Sequence, residues 1–366
     1  DMTEIYPVLT ELNHAIEHVT EWVRPLPVET PISFIGSTAK VMYEPKGVTL
    51  IIAPWNYPFN LCLIPLVSAI AAGNTAILKP SEYTPNTAKL VKSMMADLFK
   101  ENEVAVVEGD YRTSSELLKL KFDHIFFTGS PQVGKIVMKA AAEHLTPVTL
   151  ELGGKSPAIV AEDADLGLTA RRIAWGKWLN AGQTCVAPDY ILVNEKVRQP
   201  FLDELGKAIT DFFGADPQTS ESYGRIVSPR HFDRLKSLMT GGKVIIGGET
   251  NAESRYVAPT VLADVDMNSA LMNEEIFGPL LPVLSINSTK QAVEFITARP
   301  HPLALYVFAE NKSVVKEVLA KTTTGGVTVN GTLMHLTSPH LPFGGIGESG
   351  MGGYHGKSGV RLFQHM

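Results

Sequence analysis

The segment VTLIIAPWNYPFNLCLIPLVSAIAAGNTAILKP, residues 48–80, decides the fold. Its ends are short β-rich runs, VTLIIAP and TAILKP, and the apolar stretch Leu61–Gly73 lies between them. That stretch contains Pro65 and is shorter than the ~20 residues needed to cross a bilayer, so it predicts a core helix. A strand, a helix and a second strand in this order are typical of a parallel sheet that is covered on both faces.

The alternation of strands and helices continues along the chain. Three more β-rich runs, VAVVEG, HIFFTGS and PVTLELGG, are separated by helical segments at residues 84–100 and 133–144. We therefore predict an α/β protein with a Rossmann-type, nucleotide-binding domain formed by residues 1–25 and 46–152.

A second series of strands and helices follows Gly154 and predicts a second α/β domain at residues 153–345. The remaining residues, 346–366, form a C-terminal segment in this interpretation. The predicted strands of the second domain are SPAIVAE, YILVNE, KVIIGGE, PTVLADV, LPVLSI, ALYVFAE and GGVTVNG.

Residues 26–45 precede the first strand of the main sheet and have alternating β-type residues around Gly36. This pattern favours an extended hairpin that projects from the body and makes subunit contacts. We therefore expect an oligomerisation hairpin and a homodimer.

Composition limits the protein class. The 366 residues are 45% hydrophobic and 19% charged, with a formal net charge of -6 and no basic stripe, so nucleic acid is not an expected partner. The two cysteines cannot form a disulfide framework, which favours a reducing, cytoplasmic location. The chain opens at Asp1 without an initiator methionine or signal, which is consistent with a fragment of a longer protein, and membrane association through absent termini stays open.

Cys185 lies in GQTCVAPDY, residues 182–190, directly after a helical segment. Gly182 can adopt a left-handed conformation and send the chain into a loop, where a thiol would be exposed. The residues alone allow two interpretations, a nucleophile or a small buried hydrophobic residue.

Two residues that could assist a nucleophilic Cys185 lie at predicted strand ends. Glu151 is followed by Gly153 and Gly154, and it would lie at the edge where open α/β sheets bind ligands. It is either a general base or a strand-end charge in solvent. Asn56 follows the first strand and either donates to an oxyanion or closes a turn.

A phosphate-binding turn is predicted at GSPQVG, from Gly129 through Ser130 to Gly134, because it follows a strand and opens a helix. Lys79 and Glu82 end another strand and can bond ribose hydroxyls, and the carboxylate would repel a 2′-phosphate, which favours NAD over NADP. The G-x-G-x-x-G pattern at residues 345–350 is rejected because it does not follow an apolar strand.

Six motifs in one order resemble the aldehyde dehydrogenase superfamily over nearly the whole chain. The GQTCVAPDY and GMGGYHGKSG motifs are most similar to its class 3 branch of fatty and aromatic aldehyde dehydrogenases. The other motifs are APWNYPFNLCLIPLVSAIAAGNTAILKPSE, FFTGSPQVGK, LELGGKSP and EEIFGPLLPV.

The resemblance implies that the first domain binds NAD(P) and that residues 153–345 form the catalytic domain. It implies Cys185 as nucleophile, Glu151 as general base and Asn56 as oxyanion donor in the oxidation of an aldehyde through a thiohemiacetal and a thioester. It also implies that NAD is the cofactor with NADP as a second one, since class 3 members often accept both. The implied cofactor contacts are Pro54, Trp55, Lys79, Glu82, Gly129, Ser130, Gly134, Leu152, Gly153, Glu275 and Phe277.

The substrate is expected to be a small-molecule aldehyde with an apolar tail. Tyr57, Trp175 and Thr184 align with substrate-pocket positions of the class 3 pattern, although the two aromatic residues could instead pack in the core. No arginine lies in WNYPF or GQTCVAP, so an aldehyde that carries a carboxylate is disfavoured.

Parts of the sequence also fit two other functions. HAIEH, His14–His18, matches the H-x-x-E-H zinc pattern of inverted metallopeptidases, but no third ligand is signalled and no metal is expected. The scaffold could also bind NAD as a structural or binding protein. The presence of Cys185, Glu151 and Asn56 together favours the enzyme.

Overall fold

The computed structural model describes residues 2–366, and these form two compact units. The first unit contains the chain as far as Glu151, together with Thr337–Gly344 and Met351–Met366. The second unit contains Leu152–Leu336 and Gly345–Gly350.

The elements are numbered in chain order. The helices are α1 (Ile5–Trp22), α2 (Asn60–Ala71), α3 (Pro85–Leu98), α4 (Tyr111–Leu117), α5 (Pro131–Ala142), α6 (Leu166–Trp178), α7 (Arg198–Phe213), α8 (Pro229–Leu238), α9 (Ala270–Asn273), α10 (Thr289–Thr297), α11 (Lys312–Lys321) and α12 (Gly356–Leu362). The strands are β1 (Leu26–Val28), β2 (Ala39–Val41), β3 (Glu44–Pro45), β4 (Val48–Ile52), β5 (Thr75–Lys79), β6 (Val104–Val106), β7 (His124–Thr128), β8 (Val148–Glu151), β9 (Pro157–Val160), β10 (Tyr190–Asn194), β11 (Lys243–Ile246), β12 (Thr250–Asn251), β13 (Tyr256–Val257), β14 (Thr260–Ala263), β15 (Leu280–Ile286), β16 (Ala304–Phe308), β17 (Gly326–Val329), β18 (Gly350–Met351) and β19 (Gln364–His365).

The first unit is built on a sheet with the strand order β18-β8-β7-β4-β5-β6, in which the five strands from β8 to β6 are parallel. Its strands are mostly apolar and buried, as expected for a parallel sheet that is covered on both faces. Helix α2 continues through Pro65 and buries most of its side chains, so the predicted core helix is confirmed. The strands end in register, with Ile52 opposite Lys79 and Thr128 opposite Glu151. The carboxyl ends of these strands therefore share one edge.

The predicted hairpin exists in part. Strands β1 and β2 pair antiparallel, with Leu26 opposite Val41 and Val28 opposite Ala39. Strand β3 instead pairs with β19, at the C-terminal end of the sequence. Residues 26–45 are therefore a short two-stranded ribbon followed by a strand that belongs to a second pairing.

The second unit holds a seven-stranded sheet with the order β11-β14-β15-β10-β9-β16-β17. Only the edge strand β11 runs antiparallel to its neighbour. All seven strands predicted from the sequence are present. Part of the core lies on one face, where Ile159, Tyr190, Leu192 and Leu305 pack against helices α10 and α11.

The end of the chain differs from the predicted boundaries of 153–345 and 346–366. Residues 337–344 and 351–366 belong to the first unit, and only residues 345–350 belong to the second. The reason is aromatic burial: Phe343 and Tyr354 exchange backbone hydrogen bonds, and the rings of Tyr354 and Phe363 pack on Phe126 of β7. These side chains complete the core of the first unit.

The glycine pattern at residues 345–350 forms a tight turn and not a strand-to-helix junction. A Cβ atom on Gly345 would lie 2.1 Å from the carbonyl oxygen of Ser349, so only glycine allows these two backbone segments to come so close.

Every helix within residues 2–366 is too short or too polar to span a membrane.

Candidate active site

Cys185 follows a strained turn at the end of α6. Asn180, Ala181 and Gly182 have φ values of 52°, 51° and 74°, so three successive residues are left-handed, as predicted for Gly182. A Cβ atom on Gly182 would lie 2.2 Å from the carbonyl oxygen of Gly278, which restricts this position to glycine. Such strain is concentrated at functional sites. The turn releases the half-buried Cys185 from the helix into a loop.

Buried hydrogen bonds hold the loop of Cys185. The Gln183 amide donates to the carbonyls of Asn180 (3.0 Å) and Arg225 (3.1 Å) and accepts from the Val227 N–H (3.0 Å). The Tyr306 hydroxyl donates to the carbonyl of Val186. Neither side chain could be identified from the sequence, because Gln183 bonds Arg225 and Val227 and Tyr306 bonds Val186, all of which are distant in sequence.

Glu151 ends β8 in the first unit and is buried, so it is not a strand-end charge in solvent. Neither carboxylate oxygen has a hydrogen-bond partner in the described part of the chain. Burial raises its pKa well above the ordinary value. The hydroxyl of Thr128, its register partner on β7, is likewise buried without a partner among residues 2–366. A carboxyl group with a raised pKa suits proton abstraction near neutral pH.

Asn56 is buried in the turn after β4, on the same sheet as Glu151. The first unit thus brings Asn56, Glu151, Lys79 and Gly129 to the carboxyl edge of one parallel sheet, where α/β folds bind ligands. Cys185 belongs to the second unit. The three predicted catalytic residues therefore come from both units of the chain.

Several predicted cofactor residues occupy that carboxyl edge. Pro54 and Trp55 are half-buried after β4. Lys79 is buried at the end of β5, where its ammonium donates to the Pro80 carbonyl (2.8 Å) and lies 3.5 Å from a carboxylate oxygen of Glu82. The two side chains are therefore arranged as a linked donor and acceptor, which is suitable for ribose hydroxyls.

The predicted phosphate turn has the expected strand–turn–helix context between β7 and α5. The Ser130 hydroxyl caps α5 by accepting from the Val133 N–H (3.4 Å), and the Gly134 N–H bonds the Ser130 carbonyl. Gly129 packs on the Phe127 ring, which a Cβ atom would approach to 2.5 Å. Of the first residues of α5, Pro131 has no N–H, and the N–H groups of Val133 and Gly134 bond Ser130, so the helix start offers an anionic pyrophosphate the Gln132 N–H and the positive end of the helix dipole.

The second unit contains the remaining predicted cofactor residues. A Cβ atom on Gly153 would lie 1.9 Å from a carboxylate oxygen of Glu275, and the Gly154 N–H bonds that carboxylate. Glu275 Oε1 is buried and has no partner among the described residues, so it can accept a hydroxyl from a ligand. Leu152 donates its N–H to the Ser349 carbonyl (3.2 Å), and Phe277 has a positive φ of 47°. These observations fit a nicotinamide cofactor.

Glu275 belongs to a buried charge cluster that the sequence analysis missed. Burial, followed by the charge of Asp189, raises its pKa to about 8. Asp189 accepts from the Lys155 ammonium (2.5 Å) and the Ile276 N–H (3.0 Å). Lys177 is fully buried, and burial lowers its pKa to about 8. The one local signal was a lysine in the otherwise apolar stretch AWGKWL.

The predicted substrate residues differ in their burial. Thr184 is buried beside Cys185, whereas Trp175 on α6 keeps 37% of its surface exposed. Tyr57, in the first unit, is half-buried. Trp175 is therefore not a core residue.

The metallopeptidase alternative gains no support. His14 and His18 lie on α1, and the Nδ1 atom of His18 bonds the carbonyl of His14 at 2.9 Å. Throughout residues 2–366, no group of three or more His, Cys, Asp or Glu side chains could hold a metal ion.

Comparisons with known proteins agree with this geometry. Residues 3–366 match the model of the aldehyde dehydrogenase family. The chain is 49% identical over 362 residues to a dimeric, NADP-preferring aldehyde dehydrogenase of Rattus norvegicus, covering 99% of this chain and 80% of that protein. It is 47% identical to aldehyde dehydrogenase family 3 member A2 of Macaca fascicularis, covering 99% of this chain and 75% of the relative.

Solved structures give the same result. The substrate-bound state of Staphylococcus aureus AldH matches with a TM-score of 0.97 and 47% identity, covering 100% of this chain and 80% of that one. A Mycobacterium tuberculosis aldehyde dehydrogenase complexed with NAD+ matches with a TM-score of 0.90 and 28% identity, covering 99% of this chain and 76% of that one. The chain therefore belongs to the aldehyde dehydrogenase family and is an NAD(P)-dependent enzyme of that family.

Proposed function

We propose that the enzyme oxidises apolar aldehydes, fatty or aromatic, to carboxylic acids and that Cys185 is the nucleophile. The observation that carries this proposal is the half-buried Cys185 on a left-handed turn that tolerates only glycine at position 182. The second cysteine, Cys62, is fully buried, and burial raises its pKa to about 12, which leaves it inert.

The catalytic steps use groups of this chain. The Cys185 thiolate attacks the aldehyde carbon, and the carbonyl electron pair moves to oxygen, where the Asn56 amide and the Cys185 N–H donate to the oxyanion. NAD(P)+ supplies the hydride acceptor when bound. After oxidation Cys185 carries a thioester. Glu151 then accepts a proton from water, the hydroxide attacks the acyl carbon and the Cys185 thiolate leaves.

Cofactor binding is assigned to residues of both units. Lys79 and Glu82 bond the adenosine ribose, and the N–H groups after Gly129 bind the pyrophosphate. Glu275 accepts from the nicotinamide ribose, supported by its buried oxygen without a protein partner in residues 2–366. The negative charge of Glu82 would repel the 2′-phosphate of NADP, which favours NAD. The name of the rat relative, however, contains "NADP-preferring". We infer that both cofactors are accepted.

The substrate class rests on apolar and aromatic surface. Trp175 is partly exposed on the helix that leads to Cys185, and Tyr57 follows the oxyanion donor Asn56. Each methylene group that the pocket buries contributes about 0.8 kcal/mol, or roughly fourfold in kcat/KM. An aldehyde that carries a carboxylate would find no arginine in WNYPF or GQTCVAP.

Assembly and location are also proposals. The relative's name contains "dimeric", and residues 26–35 carry exposed apolar side chains, so a homodimer that uses this ribbon is favoured. The chain has only two cysteines and no disulfide framework, which favours a reducing, cytoplasmic location.

The test measures the formation of reduced nicotinamide when the enzyme is mixed with NAD+ or NADP+ and one of a series of fatty and aromatic aldehydes. Cys185→Ala should abolish turnover, whereas the matched Cys62→Ala variant should keep it. For the wild type, kcat/KM should rise with chain length until the pocket is filled. Turnover that survives in Cys185→Ala, or a preference for aldehydes that carry a carboxylate, would overturn the proposal.

A further inference from the structure

Tyr306 is a buried tyrosine that contacts the loop of the proposed nucleophile. It lies on β16 in the second unit and is completely buried. Its hydroxyl donates to the carbonyl of Val186 at 2.5 Å. Val186 directly follows Cys185, so this bond acts on the nucleophile loop itself.

The same hydroxyl has a second partner. The backbone N–H of Leu333 donates to the Tyr306 oxygen. Leu333 is a buried, non-glycine residue with a φ of 62°, a conformation that bulky residues rarely adopt. One phenol oxygen therefore ties the loop after Cys185 to a strained segment almost 150 residues further along the chain.

The Tyr306 hydroxyl stays protonated in the pH range where a thiol ionises. Burial, together with the nearby Cys185, raises its pKa far above the ordinary value. It therefore acts as a permanent hydrogen-bond donor and takes no part in proton transfer.

We propose that Tyr306 is a positioning residue for the reaction, because its hydroxyl fixes the Val186 carbonyl and thereby the Cys185 thiol and the Cys185 N–H. This inference rests on the proposed role of Cys185 as nucleophile. Loss of the bond should leave the thiol present but misaligned, and a misplacement of about 1 Å costs on the order of 100-fold in rate.

The chain offers a matched control for a purely structural role. Tyr223 is also buried in the second unit, and its hydroxyl donates to the carbonyl of Val257 at 2.9 Å. Its acceptor is not in the nucleophile loop. Tyr223→Phe and Tyr306→Phe each remove one buried oxygen, and both variants should lower the thermal unfolding midpoint, Tyr306→Phe by more because it leaves both a carbonyl and an N–H without a partner.

Acylation and alkylation of Cys185 separate positioning from thiol chemistry. Reaction with p-nitrophenyl acetate transfers the acetyl group to the thiolate and releases p-nitrophenolate, so it needs the positioned N–H and no cofactor. Iodoacetamide alkylates the thiolate by displacement of iodide and needs no oxyanion donor. Both reactions report Cys185, since Cys62 is buried.

Tyr306→Phe should lower the acylation rate at least tenfold in folded protein, while the pH midpoint of alkylation stays within about half a unit of the wild type. Tyr223→Phe should keep the acylation rate and the pH midpoint of alkylation of the wild type. Acylation of Tyr306→Phe within about threefold of the wild type, or a loss no larger than in Tyr223→Phe, would overturn the inference.

A second variant guards against a folding defect. Incorporation of 3-fluorotyrosine at position 306 keeps the hydroxyl, and acylation should stay within about threefold of the wild type. A tenfold loss there would contradict a role for the hydroxyl. If the wild type and Cys185→Ala are acylated equally fast, Cys185 is not the nucleophile. That result contradicts the proposed function and is distinct from a result that contradicts only the role of Tyr306.

Discussion

At the scale of single residues, burial sets the chemistry of two carboxyl groups. Glu151 and Glu275 both have buried oxygens without a partner among residues 2–366, and burial raises the pKa of each. Both positions are predictable from the sequence motifs. Their protonation is not, because burial results from packing by residues that are distant in sequence.

The first prediction concerns the pH dependence of cofactor binding. Because the pKa of Glu275 is raised to about 8, only about a tenth of this carboxyl is ionised at pH 7 and about nine-tenths at pH 9. The ionised form is the better acceptor for ribose hydroxyls. The dissociation constant for NAD+, measured by calorimetry, should therefore fall about tenfold between these pH values.

Glu275→Gln should remove this pH dependence. Glu274→Gln is the adjacent control and should keep it, because the Glu274 side chain is exposed. A dissociation constant that does not change with pH in the wild type, or an unchanged pH profile in Glu275→Gln, would contradict the assigned role.

At the scale of elements, the strands were predictable and the turns were only partly so. Five of the six strands of the first sheet and all seven of the second follow from β-rich runs between helical segments, whereas β18 lies in a glycine-rich segment without such a run. The left-handed Gly182 was predicted, but the left-handed Asn180 and Ala181 were not. Their strain is imposed by tertiary contacts such as those of Gln183, which no local pattern signals.

The second prediction compares two left-handed glycines. Gly182→Ala places a Cβ atom 2.2 Å from a backbone carbonyl oxygen, which can move only if the chain around it shifts. In Gly214→Ala the new Cβ atom has no other atom within 4 Å. Gly214→Ala should lose about 1–3 kcal/mol of unfolding free energy through backbone strain alone. Gly182→Ala should lose more than about 4 kcal/mol.

Urea denaturation measures both losses, and steady-state assays should show that only Gly182→Ala loses activity as well. Equal destabilisation of the two variants would show that the contact with Gly278 does not restrict the turn.

At the scale of the whole molecule, the two α/β units were predicted, but the path of the C-terminal region was not. Residues 351–366 return to the first unit, because Tyr354 and Phe363 bury their rings against Phe126. Aromatic residues alone do not specify which unit they complete. The same holds for β3, whose pairing with β19 joins residues that lie about 320 positions apart.

The third prediction concerns assembly. Ile32 and Ile35 are 87% and 85% exposed in the ribbon region, which is unusual for aliphatic side chains and favours an interface. The double variant Ile32→Asp, Ile35→Asp should shift the protein from twice 39.8 kDa to a single 39.8 kDa chain in light scattering. Leu98→Asp, an exposed apolar position on α3, is the control and should stay dimeric. A dimer that survives the double substitution would exclude this ribbon as the interface.

The central claim is that Cys185 carries the acyl group and that Glu151 is the base for its hydrolysis. Glu151→Gln should slow hydrolysis by about 100-fold or more and leave acylation intact. The direct measurement mixes this variant with NAD+ and an aldehyde, quenches with acid and determines peptide masses. We predict one acyl group on the peptide that contains Cys185 and none on the peptide that contains Cys62. Full turnover without an adduct, or an adduct at another residue, would contradict the claim.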